Sequence, residues 1–237
     1  MFKRLGIGVL VLLLAACAAL KGRHAAPQKP EGSVPSLELP LPGRAYQIDV
    51  NRSELRVLVY RAGPLARFGH NHVMVNRAIR GAVSLAETGA SVFWLKVPVA
   101  GFVVDDAQAR GEEGADFAAA VPDDAKSGTL HNMLSAPVLD ADEFPVITVN
   151  GTAAAGARAS GAAELVATLA ISVAGHESKI DVPFVLESDP DHLSATGSVE
   201  LRQSALGLTP YSLMLGALQV QDAMTIKFRI VANLSEG

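Results

Sequence analysis

From Tyr46 to the C-terminus, hydrophobic and polar residues alternate with period two, the pattern of strands with one wet face. Tyr46, Ile48 and Val50 alternate with Gln47 and Asp49, and Leu55, Val57 and Val59 share a face. Ile79, Gly81, Val83 and Leu85 form the next set; Phe93, Leu95, Val97 and Val99 follow a turn at Thr88-Gly89. Phe144-Pro145 opens a strand with Ile147 and Val149. Ala163, Leu165, Ala167, Leu169, Ile171 and Val173 then run to a turn at Ala174-Gly175, beyond which Ile180, Val182, Phe184 and Leu186 share one face. Leu193, Ala195, Gly197, Val199 and Leu201 follow, and Met224, Ile226, Phe228, Ile230, Ala232 and Leu234 close the series. This predicts an all-β domain of eight or nine mostly antiparallel strands. Strands this numerous pack as a sandwich or close into a barrel to hide their edges.

Two stretches depart from the alternation. Gly101 to Asp142 is acidic and alanine-rich and predicts one or two short helices; Asp105, Asp106, Glu112, Glu113 and Asp116 within it read as solvated loop charge. Gln203 to Asp222 carries Leu206, Leu208, Tyr211, Leu213, Met214, Leu215 and Leu218, too apolar for a free loop, and is expected to pack over the end of the sheet. Trp94 is out of phase with Phe93 and Leu95 and belongs on the outer face. Several inward positions are small: Gly81, Ala163, Ala167, Ala195, Gly197 and Ala232. An eight-stranded barrel has room for its own side chains or for one small ligand, and small inward residues favour the ligand. The candidate lining residues are Phe93, Leu95, Leu165, Leu169, Phe184 and Phe228.

The N-terminus has a different character. Lys3 and Arg4 precede an apolar run, Leu5 to Leu20, short of the roughly 20 residues of a spanning helix, and small residues follow, as in a bacterial export signal. Leu14-Ala15-Ala16-Cys17 resembles a lipobox, which implies removal of residues 1–16 as a lipoprotein signal peptide and acylation of Cys17. Cys17 is the sole cysteine, so no internal disulfide can form. By resemblance to bacterial sorting rules, Ala18 after it leans toward the outer membrane. Pro27, Pro30, Pro35, Pro40 and Pro42 break regular structure, so residues 17–45 read as a lipidated cysteine and a disordered tether with an average span of about 30 Å. Residues 46–237 remain as one domain, lipid-anchored and facing the periplasm.

Net charge is −4, which gives a nucleic-acid partner no electrostatic support. No Gly-x-Ser-x-Gly elbow, phosphate-cradling glycine loop or His-Glu-x-x-His helix is present, so the chain reads as a non-enzyme without a cofactor. His70 and His72, two residues apart, share a direction on a strand. Three roles stay open for them: a structural bond to backbone where Gly69 bends the chain, contact with a ligand head group, or a metal site completed by further ligands.

Four stretches in order carry a resemblance: Tyr46-Gln47-Ile48-Asp49 with Ser53-Glu54-Leu55; Gly69-His70-Asn71-His72; Met133-Leu134 through Val138-Leu139-Asp140 and Phe144-Pro145-Val146-Ile147; and Leu208-Thr209-Pro210-Tyr211 through Leu215-Gly216-Ala217-Leu218 and Asp222. Together they resemble the YceI-like family of periplasmic proteins, from Tyr46 to about Leu234. The resemblance implies a lipocalin-like antiparallel eight-stranded barrel with short helical insertions, holding an isoprenoid lipid or quinone tail without catalytic residues. Two alternatives stand beside it: a periplasmic metal-binding protein using His70 and His72, and an envelope-stress interaction module whose barrel is filled by its own side chains.

Overall fold

Each alternating run of the sequence is a strand. The computed structural model describes residues 43–86, 88–154 and 161–235; the signal peptide, Cys17 and the tether up to Pro42 lie outside the described residues. Among those described, twelve strands form one sheet: β1 (Arg44–Ile48), β2 (Glu54–Ala62), β3 (His72–Asn76), β4 (Arg80–Leu85), β5 (Ala90–Pro98), β6 (Phe102–Val104), β7 (Val146–Ala154), β8 (Gly161–Val173), β9 (His176–Ser188), β10 (His192–Arg202), β11 (Ser212–Leu213) and β12 (Leu218–Leu234). Two helices, α1 (Ala107–Gly111) and α2 (Asp123–Leu134), occupy the acidic segment. Strand pairing starts at Arg44, two residues before the alternation does.

Eight strands close a barrel in the order β1-β4-β5-β7-β8-β9-β10-β12, with β12 returning to β1. The remaining ribbon, β2-β3-β6, branches from the same strand. This is possible because β12 is 17 residues long and shares one edge between two partners. That edge pairs with β2 as far as Arg229↔Glu54, then with β1 from Ala232↔Ile48. The handover falls at Val231. Its carbonyl accepts from the Asp49 N–H at 2.8 Å, and its N–H donates to the Ser53 hydroxyl at 3.0 Å. The same hydroxyl donates back to the Val231 carbonyl at 3.3 Å. Ser53 is buried, so its side chain and the Asp49 amide together stand in for the missing ladder bonds.

The register sorts the connections. Residues 189–191 turn the chain at one end of the barrel, where Tyr46 is buried and its hydroxyl donates to the Pro190 carbonyl. The long connections, residues 63–71, 105–145 and 203–217, gather at the other end.

Three expectations need correction. The strand count was low because β3 and β6 do not alternate and β11 has only two residues. β3 is covered on both faces: Met74 joins the interior cluster, while Val73 and Val75 pack outside with Leu58, Ala109 and Phe117. A strand buried on both sides reads as an unbroken apolar run, here Val73-Met74-Val75. β6 has only three residues. Second, the acids of the helical segment are not uniformly wet. The Asp105 side chain is fully buried, and that of Glu113 nearly so. Glu113 pairs with Arg56 and Lys227, and Glu112 with Arg56, which pins the segment to the outer wall of β2 and β12. Third, only part of the apolar stretch after β10 packs inward. Leu206 is buried, but Leu213, Met214 and Leu215 are exposed. Met214 and Leu215 have φ of 51° and 55°, which turns the chain away from the barrel end.

Removing the Ser53 hydroxyl leaves the buried Val231 N–H without its partner. Ser53→Ala should cost about 1–3 kcal/mol, measured as a fall in unfolding free energy in urea with an unchanged denaturant slope.

Candidate ligand-binding site

The inward side chains of the barrel enclose a cavity of about 600 Å³, within the usual range of small-molecule sites. It runs from Leu85 and Leu193 toward the long-connection end, where it reaches the surface beside Phe68 and Leu213. The wall is almost wholly apolar. Phe93, Leu95, Leu165, Leu169, Phe184 and Phe228 all line it, with His70 and His72. Trp94 points to the outside, where the Lys96 ammonium lies 5.5 Å from its ring centroid.

Glycines keep this interior hollow. Phe93 faces Gly151 across β5 and β7, and Phe228 faces Gly197 across β10 and β12. A β-carbon on Gly151 would stand 2.0–2.5 Å from the Phe93 ring, and one on Gly197 would stand 2.4 Å from Cζ of Phe228. Each ring therefore lies over its glycine, along the wall. Leu95 takes the same position against Gly81. The small inward residues thus have a second effect besides leaving volume: they let large rings fold back from the lumen.

The polar part of the site sits where β3 begins. His72 Nδ1 donates to Asp105 Oδ2 at 2.7 Å, since an ionised carboxylate can only accept. In the neutral ring this leaves Nε2 to accept from the Thr129 hydroxyl at 3.3 Å, on the helix α2. The other Asp105 oxygen accepts from the Val73 N–H at 3.0 Å and from Arg110 at 2.7 Å. Arg110 is buried; it also donates to the carbonyls of Asn71 and Ala119. Its guanidinium lies 5.7 Å from the Phe117 ring centroid. Burial alone would raise the Asp105 carboxyl, but the bonds from His72 and Val73, and the His72 and Arg110 charges, hold it below the usual carboxylate range. Asp105 adopts φ 54°, a region Asp tolerates better than most residues.

His70 differs. It precedes β3 and is half-buried on the cavity wall, with its ring centroid 6.0 Å from that of His72. Burial, then the neighbouring His72 and Arg110 charges, lower its proton affinity, so the neutral ring is favoured. The two imidazoles thus do not act as a pair. His72 has its structural bond, but to a side-chain carboxylate rather than to backbone at Gly69. Among the described residues, no group of three or more His, Cys, Asp or Glu side chains is placed to hold a metal ion.

Three contributors escaped the sequence reading: Arg110, Thr129 and Gly151. Arg110 stands in an acidic, alanine-rich stretch that gives no sign of burial. Thr129 needs the packing of α2. Gly151 is meaningful only beside Phe93, and that register is not written in either strand alone.

A YceI-like domain model matches residues 46–232. No curated protein matches the chain. Among solved structures, the chain is similar to a polyisoprenoid binding domain from Saccharophagus degradans implicated in plant cell wall breakdown. That likeness has a TM-score of 0.55 and 12% identity, covering 81% of this chain and 99% of that one. It is also similar to Burkholderia cenocepacia BcnA, with a TM-score of 0.53 and 15% identity, covering 78% of this chain and 98% of that one. At such identities the likeness concerns the fold: a closed eight-stranded antiparallel barrel.

The buried charges make stability depend on pH. Both His70 and Asp105 bind protons less readily folded than unfolded, so stability falls as pH falls. The His70 part is lost below its ordinary value near 6.5, and the Asp105 part is lost below about 3.9. Asp105→Asn should cost about 3–5 kcal/mol at neutral pH, because it leaves Arg110 buried without its counter-charge. The variant should also flatten the acid limb of a stability–pH curve measured by chemical denaturation.

Proposed function

Because the chain belongs to the YceI-like family, we propose that its barrel holds one isoprenoid-type lipid, either a polyprenyl chain or the tail of a quinone. The observation that carries this reading is the cavity of about 600 Å³, lined mainly by Leu, Ile, Val and Phe. A branched hydrocarbon offers few polar atoms and needs few in return. Each prenyl unit is comparable to a leucine side chain, whose burial contributes about 1.5–3 kcal/mol, so a few units suffice for tight binding after the cost of association. The solved Saccharophagus relative is a polyisoprenoid binding domain, which supports the same ligand class here.

Within this reading the tail runs along the barrel and the head stays near the long-connection end. His70 is the polar contact for it: neutral, half-buried and on the wall. A neutral imidazole can donate to a quinone carbonyl or phosphate oxygen. His72 is committed to Asp105 and Thr129 and serves to position the segment beside it. The protein works as a binder, not a catalyst. Its site of action in this reading is the periplasmic face of the outer membrane, to which an acylated Cys17 and the proline-rich tether hold it. A carrier so tethered exchanges or stores lipid locally.

Mass spectrometry of an organic extract of the purified full chain tests the ligand class. A prenyl lipid near one per protein is expected; recovery of no lipid, or of phospholipid only, rejects the reading. Gly151→Ala should drive the Phe93 ring into the lumen and displace about one prenyl unit. Affinity for added prenyl lipid should then fall by about ten- to a hundredfold, read by titration, while the barrel stays folded by circular dichroism.

A further inference from the structure

We infer that the cavity entrance docks on an anionic lipid bilayer through the tip formed by Phe68, Leu213, Met214 and Leu215. The inference rests on the lipid-binding reading only for what passes through the entrance, not for the contact with the membrane.

The tip is built against the interests of the isolated fold. Leu215 is fully exposed, Met214 is 72% exposed and Phe68 is 65% exposed. Met214 and Leu215 also sit in the left-handed backbone region, which disfavours such side chains and favours Gly, Asn or Asp. Strain and exposure at the same two residues give the folded chain alone nothing, and strained backbone persists where function uses it. The other large exposed apolar side chains, Val103, Val146 and Val166, belong to separate strands.

The two loops form one surface. The Leu65 N–H donates to the Ala217 carbonyl at 2.8 Å, and Gly63 leaves room for the backbone of Gly216 and Ala217. Phe68 and Leu213 each also line the cavity, so apolar side chains continue from the lumen to the tip, with Arg61 and His70 beside them.

Charge selects the occupant. Residues 61–72 contain Arg61 and Arg67 and no acid, and residues 203–221 contain no charged residue. Arg67 stacks over the Phe68 ring at 4.6 Å, and Arg61 is held by the Gly69 carbonyl; both are exposed. Asp222, at the foot of the second loop, is engaged by Ser204. The acids at this end are Glu177, beside the β8–β9 turn, and those of the helical segment, with Asp123 and Asp124 opening α2; neither Phe68 nor the 212–216 turn carries one. Aromatic and aliphatic tips flanked by arginine are what the headgroup region of an anionic bilayer accepts. A hydrocarbon could then pass from acyl chains to lumen without crossing water.

Trp94, the single tryptophan, stands on the barrel wall and serves as an internal reference. The chain carrying Leu215→Trp, with Cys17→Ser so that no acyl anchor contributes, is mixed with phosphatidylethanolamine vesicles with and without phosphatidylglycerol, some brominated on the acyl chains. The expected result is a blue-shifted emission, quenched by the brominated lipid beyond the wild-type level when phosphatidylglycerol is present. Arg67→Gln should weaken that effect about fivefold. Adding Met214→Asp should abolish it with the thermal midpoint maintained, since Asp tolerates the left-handed region. Quenching no greater than that of wild type overturns the proposal, as does equal quenching without anionic lipid. A concentration-dependent blue shift without vesicles also overturns it, because a second copy would then cover the tip. None of these readings depends on which lipid fills the barrel, so they fail or succeed independently of the extract experiment.

Discussion

Barrel closure depends on one long strand serving two neighbours along a single edge. β12 needs a residue at which neither neighbour supplies a hydrogen bond, and that residue is Val231. The Asp49 amide and the Ser53 hydroxyl take over there. Because that handover is satisfied, β1 can close the eight-stranded ring while β2 leads away into a branch. The branch carries β3 and β6, and with them Asp105 and the polar wall of the entrance. Closure and site therefore share one origin.

The interior follows a second constraint. A barrel of eight strands can fill itself with its own side chains, and this one avoids doing so by register. Phe93 and Phe228 stand opposite glycines, so ring area that would plug the lumen becomes lining. The result is an apolar surface large enough for a hydrocarbon and nearly free of groups that would need a polar partner. The polar cost is confined to one place, where Arg110, Asp105, His72 and Thr129 satisfy one another at the root of the helical segment.

Much of this was legible in the sequence, for a simple reason. A strand with one wet face writes its burial into alternate letters, and every such strand was found. Phe93, Leu95, Leu165, Leu169, Phe184 and Phe228 reach the cavity wall because strand parity decides which face each presents. What parity does not encode was missed. β3 is covered twice, so Val73, Met74 and Val75 carry no alternation. Arg110 and Asp105 are buried as a pair, and neither residue type announces burial until its partner is known. Met214 and Leu215 looked like core residues by composition, and only their backbone conformation turns them outward. The export leader, Cys17 and the tether rest on the sequence alone.

The branch ends in β6, a strand of three residues beside the barrel. An open edge invites the strand of a neighbouring molecule to add to it. Here the invitation is withdrawn. β6 is too short to template a partner, α2 packs near it, and the next residue, Asp105, turns its carboxylate back to the Val73 amide. The edge of the branch therefore offers a neighbouring copy of the chain no strand-length template.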